Sequence, residues 1–309
     1  MDIKVARVFP RRTNATPDDE YAFVGEPDFS RLPNDIEEVH ISVTFGWDLA
    51  TAEKLACLWC KVAPVRIGGP ATGMRGEQFT PGLYLKNGYV ITSRGCPTKN
   101  HCWFCEVPRR EGNQVRELPI NEGWNVLDDN LLACSETHIR SVFEMLNNYK
   151  KKNQGFPRAQ FTGGLEAGRL KPWHVELLKE LRPEQMFFAF DTPGDLPALR
   201  EAARLFKEAD YGTRRNLRCY VLIGYPGDTM QYADRRLKTV MGMGFCPMAM
   251  LYRNQSGGIS KDPEWQKFQR LWARPAIIFS PRRQEEYSSD SGLASGFRRE
   301  KPKKRELSR

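Results

Sequence analysis

The chain of 309 residues carries a net charge of +9, with 40% apolar and 28% charged residues, a balance that suits a folded globular protein and excludes a disordered or fibrous one. No apolar run approaches the roughly 20 residues needed to cross a bilayer. The first ten residues alternate like a strand and lack a signal-peptide hydrophobic region, so a cytoplasmic protein is expected. Eight cysteines and four histidines, no two of the latter three to five residues apart, favour cysteine-based metal chemistry over a disulfide framework or a histidine-rich zinc site.

In chain order, residues 1–80 read as a small, truncated Rossmann-like α/β unit. Strand-like runs fall at 3–9, 39–44 and 65–67, a helical pattern at 49–62, and a turn at Gly68-Gly69-Pro70. Cys57 and Cys60 form a C-x2-C inside that helix; three apart, they share a face, and the expectation is thiols packed in the core. Residues 75–86 read as a linker. Within 81–280, strand-like and helical runs alternate six times. The strands are 89–94, 124–127, 159–162, 186–191, 217–223 and 247–252; helical stretches include 136–151, 172–181, 196–209, 230–241 and 264–272. Ser135 and Asp195 stand where N-caps belong. Cys219 and Cys246, in or beside central strands, read as core.

This alternation implies βαβ units and a parallel sheet. The expected fold is α/β, a partial (β/α)6 barrel of parallel strands with function at the C-terminal strand ends, and a doubly wound sheet is the alternative. Residues 281–309 are rich in Ser, Gly and charge and read as a disordered basic tail. Its nine Lys/Arg against five Asp/Glu supply four of the nine excess charges, so the basic balance of the folded part is mild.

The most informative stretch is Gly95-Cys96-Pro97-Thr98-Lys99-Asn100-His101-Cys102-Trp103-Phe104-Cys105, at the end of the first barrel strand. Gly95 and Pro97 break regular structure, which leaves the loop free to wrap around a bound object. Closely spaced thiolates hold iron–sulfur clusters. A structural zinc site takes four ligands, and only three thiols are local here, with Cys134 or His101 as candidates for a fourth. Three ligands on a four-iron cluster instead leave one iron open. Spacing favours the cluster, with zinc as the alternative.

The stretch resembles the cluster loop of the radical S-adenosylmethionine (radical SAM) superfamily, where three Cys follow the first barrel strand and an aromatic residue, here Phe104, precedes the last. The spacing is C-x5-C-x2-C instead of the usual C-x3-C-x2-C. The resemblance spans roughly residues 89–254. It implies a [4Fe–4S] cluster on Cys96, Cys102 and Cys105, with S-adenosylmethionine on the open iron. It also implies a 5′-deoxyadenosyl radical that abstracts hydrogen from a substrate above the barrel mouth, with residues 253–275 completing the pocket. An external electron donor of flavodoxin or ferredoxin type follows from it.

Asp128-Asp129-Asn130 ends the second strand, where family members place groups for the amino group of S-adenosylmethionine. Gly163-Gly164-Leu165-Glu166 follows the third strand and suits the methionine carboxylate or amine, or the substrate; strand order favours the Asp pair for the amine. The run from Tyr220 to Thr229, with Gly224 at its turn, is similar to the fifth strand and turn that pack near the adenine. The chemistry agrees: an ammonium wants carboxylates, and a carboxylate or ribose wants backbone N–H groups and side-chain donors. Asp191 suits a ribose hydroxyl. Each of these residue types is equally a turn former.

The amino-terminal unit resembles the cobalamin-binding domain of some members. It lacks Asp-x-His-x-x-Gly and is short, so a cofactor-free version is expected. The basic balance makes nucleic acid or a nucleotide the first expectation for substrate and a peptide the second. The rival class is a non-enzymatic zinc or iron–sulfur protein that binds nucleic acid, with Cys134 as a fourth ligand. No basic–aromatic stripe of the kind used for base stacking supports it. Arg109-Arg110 reads as substrate contacts or solvated charge.

Overall fold

In the amino-terminal region, short runs of β-branched and aromatic residues form β1 (Val5–Phe9), β2 (Ala22–Val24) and β3 (Glu38–Ser42), followed by α1 (Leu49–Trp59) and β4 (Val65–Gly68). The computed structural model describes residues 4–73, 79–97, 102–211, 215–254, 258 and 262–280. All pairings in this first sheet are parallel, in the order β2-β1-β3-β4. Strand order therefore reverses at β1, as at the switch point of a doubly wound sheet. Ala6, Val8, Val39 and Ile41 pack on Ala52, Leu55 and Trp59 of α1 as one core. On the other face of β1, buried Arg7 pairs with Asp19 and donates to Leu83 O (2.8 Å) and Gly82 O (3.2 Å), tying the connecting segment to the sheet.

Two expectations fail in this region. The three residues of β2 are too few to show a period, and the strand was not anticipated. Cys57 and Cys60 are both exposed, not packed. The inward face of α1 is Ala52, Leu55 and Trp59; Cys57 falls on the opposite side, and Cys60 sits at the frayed helix end, its Sγ 3.2 Å from Cys57 O.

The second region runs β5 (Tyr89–Val90), β6 (Ser93–Arg94), α2 (Val107–Glu111), β7 (Arg116–Glu117), β8 (Asn125–Val126), α3 (Glu136–Lys152), β9 (Gln160–Phe161), α4 (Pro172–Leu181), β10 (Gln185–Ala189), α5 (Leu196–Glu208), β11 (Leu217–Ile223), α6 (Met230–Gly242), β12 (Cys246–Leu251), α7 (Pro263–Trp272) and α8 (Pro275–Ile278). Strands β5, β8, β9, β10, β11 and β12 form a six-stranded, all-parallel sheet in strict chain order. A doubly wound sheet reverses its order at a switch point. This one does not.

Crossovers of one hand in consecutive order put the helices on one face. Val126, Phe161, Met186, Phe188, Cys219 and Val221 meet Ile139, Phe143, Leu178, Leu199 and Leu237 there in a single core. Cys219 and Cys246 are buried as expected. The register puts Asn125, Gln160, Phe187, Arg218, Tyr220 and Met248 on the other face.

The anticipated strand at 89–94 divides. β5 ends at Val90, and Ser93–Arg94 turns away to pair antiparallel with β7. Ser135 caps α3 as expected, accepting from His138 N at 3.2 Å. Asp195 does not cap α5; its carboxylate turns back to accept from Asp191 N (3.0 Å) and Thr192 N (2.7 Å). The anticipated tail at 281–309, and His101, lie outside the described residues. Among the described residues, no helix is long and apolar enough to cross a membrane.

Candidate metal and cofactor site

The cysteine loop starts from a glycine that nothing else replaces. Gly95 has φ +91°, and a Cβ there would stand 2.1 Å from Gln114 O. Asp129 fixes this start, its Oδ2 accepting from Gly95 N at 2.9 Å while Oδ1 lies 3.5 Å from the Arg94 guanidinium. Asn130, the next residue, is buried; its Nδ2 lies 3.3 Å from Cys96 Sγ and 2.6 Å from Glu166 Oε2. The turn after β8 therefore holds the first cysteine and links it to the turn after β9.

Cys102 and Cys105 share one tight turn, with Cys105 N donating to Cys102 O at 2.8 Å. Burial pushes the Cys102 thiol up to about 12, helped by the charges of Cys105, Asp191, Asp195 and Cys96. Burial likewise pushes Cys105 up, with Cys96 and Asp129 adding to it and a hydrogen bond from the Val107 backbone opposing. The three thiols thus stand in one another's field, between the loop and the ends of β8 and β10. Trp103, between them, packs its ring on Phe104 (5.5 Å), Tyr225 (5.9 Å) and Tyr252 (5.2 Å). The loop from the first strand of the sheet therefore touches the ends of β11 and β12. Trp103 was not singled out from the sequence, although an aromatic beside a cysteine turn was available as a signal.

Asp128, expected to face an ammonium, does something else. It is 1% exposed, and Oδ1 accepts from Thr92 N (2.6 Å) while Oδ2 receives Thr92 Oγ1 (2.6 Å) and Ser93 Oγ (2.8 Å). Those bonds pull the chain out of β5 after Val90 and aim it toward the cysteine loop. Burial raises the Asp128 pKa, and the same hydrogen bonds work against that rise. With both oxygens used, Asp128 is a clamp, not a ligand-facing group. Asp129 is also partly committed, to Gly95.

Gly163 permits a close backbone crossing, since a Cβ would lie 2.2 Å from Asp128 O. Gly164, at φ +107°, has open space on its Cβ side. Glu166 accepts from Asn130 and from Arg169 Nε (2.5 Å). Asp191 accepts from Leu222 N at 2.9 Å. Burial raises its carboxyl to about 7, with Asp195 adding to the shift and the Leu222 N–H and Arg236 opposing it.

Gly224, at φ +70°, donates to Asp228 Oδ2 at 2.9 Å, and Asp228 in turn grips Arg236 through both oxygens (3.0 and 2.8 Å). This Asp228–Arg236 pair, which sets the turn after β11, was not anticipated; eight residues apart in sequence, the two carry no local pattern. Cys134, after β8, is partly buried. Burial raises it to about 11, and its charged and polar neighbours are Ser93, Asp128 and Glu117. Arg109 pairs with Glu106, and Arg110 donates to Thr44 O (3.1 Å) just after β3.

The donor set suits an iron–sulfur cluster: three soft thiols from one loop, with polar groups on the adjoining strand ends. The Oδ1 of Asn130 is buried and, among the described residues, accepts no hydrogen bond, which suits an incoming donor such as an ammonium. Among the described residues, no group of three or more His, Cys, Asp or Glu side chains is gathered closely enough to hold one metal ion. Thiolates of a cubic cluster stand apart at its corners. No protein-family model matches the chain, and no curated protein matches it.

Proposed function

We propose that the chain is a radical SAM enzyme. The observation that carries this reading is the placement of Cys96, Cys102 and Cys105 on one loop, held to the turn after β8 through Asn130 and to the ends of β11 and β12 through Trp103, beside a parallel sheet in consecutive strand order. Those three cysteines would hold a [4Fe–4S] cluster, and the raised thiol pKa values of Cys102 and Cys105 mean that assembly displaces protons. When bound together, the cluster and S-adenosylmethionine supply reductive carbon–sulfur cleavage and, through it, hydrogen abstraction.

The chain's own residues bind and orient. Glu166 and the Asn130 carbonyl oxygen would receive the ammonium, a role moved here from Asp128 and Asp129 because those two brace the loop. Gly163 and Gly164 shape the floor near the carboxylate. Asp191 stands where a ribose hydroxyl would be met, and the Gly224 turn, held by Asp228, borders the adenine. Phe104 and Trp103, with Tyr225 and Tyr252, pack the cysteine turn against the ends of β11 and β12.

The same aromatic contact supports a partial (β/α)6 barrel. Laid flat, six strands would separate β5 from β12 by about 24 Å, and curvature shortens the path that brings Trp103 to Tyr252. The reading carries with it an external flavodoxin- or ferredoxin-type reductant, a cytoplasmic setting and an amino-terminal unit without cobalamin.

The test is anaerobic reconstitution with iron and sulfide, then EPR of the dithionite-reduced protein with and without S-adenosylmethionine. The expected result is a reduced four-iron signal that shifts on adding S-adenosylmethionine and is absent from Cys102→Ala. Stoichiometric zinc with no cluster would overturn the reading.

A further inference from the structure

The face of the six-stranded sheet opposite the helices has the properties of a binding trough. Ala189 lies on β10, flanked by β9 and β11, yet it is exposed, and Met250 on β12 is 45% exposed. A central strand of a parallel sheet is normally covered on both faces. The walls are apolar: Phe187 and Tyr220 stack with centroids 4.5 Å apart and ring planes 11° from parallel, and Met248 lies beside them.

One cation stands in this apolar setting. The Arg218 guanidinium lies 5.5 Å from the Phe187 ring centroid, with Nη1 3.8 Å from Met248 Sδ, and its Nε is buried without an acceptor. No carboxylate pairs with it among the described residues. Arginine presents a planar fork matched to carboxylate or phosphate, and a buried guanidinium N–H without an acceptor is costly. At the other end of the trough, Asp191 accepts from Leu222 N, four residues further along β11 and about 13 Å from Arg218. Asp191 and Asp195 make that end acidic, beside Cys102.

We propose that this trough binds a small organic anion, an apolar or aromatic body ending in a carboxylate or phosphate that Arg218 receives. The acidic end turns the anion away from the cysteine loop and presents the far end of the molecule to it. Identifying this molecule as the substrate rests on the radical SAM reading; the anion site itself does not. Arg218 is the one cation within β10, β11 and β12, whereas a nucleic-acid groove meets a row of phosphates with a row of cations.

The test is phenylglyoxal modification of arginines in the full chain, mapped by peptide mass spectrometry before and after cluster reconstitution. Phenylacetate and phenyl phosphate are the probes, phenylacetamide the neutral control and exposed Arg200 the internal reference. The expected result is at least fivefold slower modification of Arg218 with one or both anions, no slowing with the amide, and no change at Arg200. The anion that protects identifies the group recognised.

Calorimetric binding of that anion should weaken at least tenfold in Arg218→Gln; if the variant does not fold, protection in the unaltered chain still decides. An Arg218 unreactive without ligand, equal protection by the amide, or protection only by a short RNA would overturn the proposal. Protection in protein that takes up no cluster would leave the anion site standing and remove the radical SAM reading alone.

Discussion

Replacing Asp128 separates two roles that sequence position alone does not distinguish. If Asp128 is a clamp, Asp128→Ala strands three buried donors, Thr92 N–H, Thr92 Oγ and Ser93 Oγ, on residues that are 0% exposed. Each unsatisfied buried donor costs about 1–3 kcal/mol, and partial relaxation brings the sum to roughly 4 kcal/mol. In a domain of this size that lowers the melting temperature by roughly 8–16 °C. Asp128→Asn keeps an acceptor for Thr92 N, and its amide can donate to the two hydroxyls, so it should cost about 1 kcal/mol. The assay is thermal unfolding by circular dichroism, paired with equilibrium binding of S-adenosylmethionine to the reconstituted protein. The clamp predicts that Asp128→Asn melts near the parent and binds as the parent does. An Asp128→Asn protein of full stability that loses S-adenosylmethionine would refute it and return Asp128 to the ammonium.

Gly163→Ala should destabilise by about 3 kcal/mol or more, because its methyl meets backbone atoms that have no room to move, whereas Gly164→Ala should cost about 1–2 kcal/mol of backbone strain alone. Thermal melts that reverse this order would contradict the backbone crossing. Cys57→Ser/Cys60→Ser should change stability by no more than about 0.5 kcal/mol and leave iron content unchanged, since both thiols are exposed; loss of iron would assign them a metal role. His174 is buried, its Nδ1 accepts from Lys171 N at 3.0 Å, and burial, with the charge of Lys171 adding, lowers its pKa to about 4. The unfolded chain therefore binds the proton first. The contribution of neutral His174 is complete above about pH 6.5 and falls by about 2 kcal/mol by pH 5. Urea midpoints at pH 7.5 and 5 should diverge more in the parent than in His174→Gln; equal divergence would refute the assignment.

What was legible in the sequence is what repeats. The helix Pro172–Leu181 and the strand Leu217–Ile223 appear where their apolar periods put them, and Ser135 caps because a hydroxyl before Glu136 has one local task. Features fixed by long-range partners were not legible. The β5 run stops at Val90 because Asp128, 36 residues past Thr92, draws the chain aside. The C-x2-C of α1 reads as a packed pair until the helix shows which face meets the sheet.

The candidate site divides along the same line. The three cysteines declare themselves by spacing, since a short loop leaves thiols few other places to be. The acidic residues around them do not, because a carboxylate at a strand end serves equally well as a clamp, a turn former or a ligand, and only its hydrogen-bond partners distinguish these. Asp128 with three internal donors and Glu166 reaching Asn130 beside Cys96 are the same chemistry put to different uses. The same holds for the sheet itself. In β11, alternate residues face the helices, and Arg218 and Tyr220 fall on the other side because Cys219 and Val221 are in the core. In a strand otherwise apolar, one arginine would read as an interruption; with both neighbouring strands in place, it becomes the charged floor of an open face.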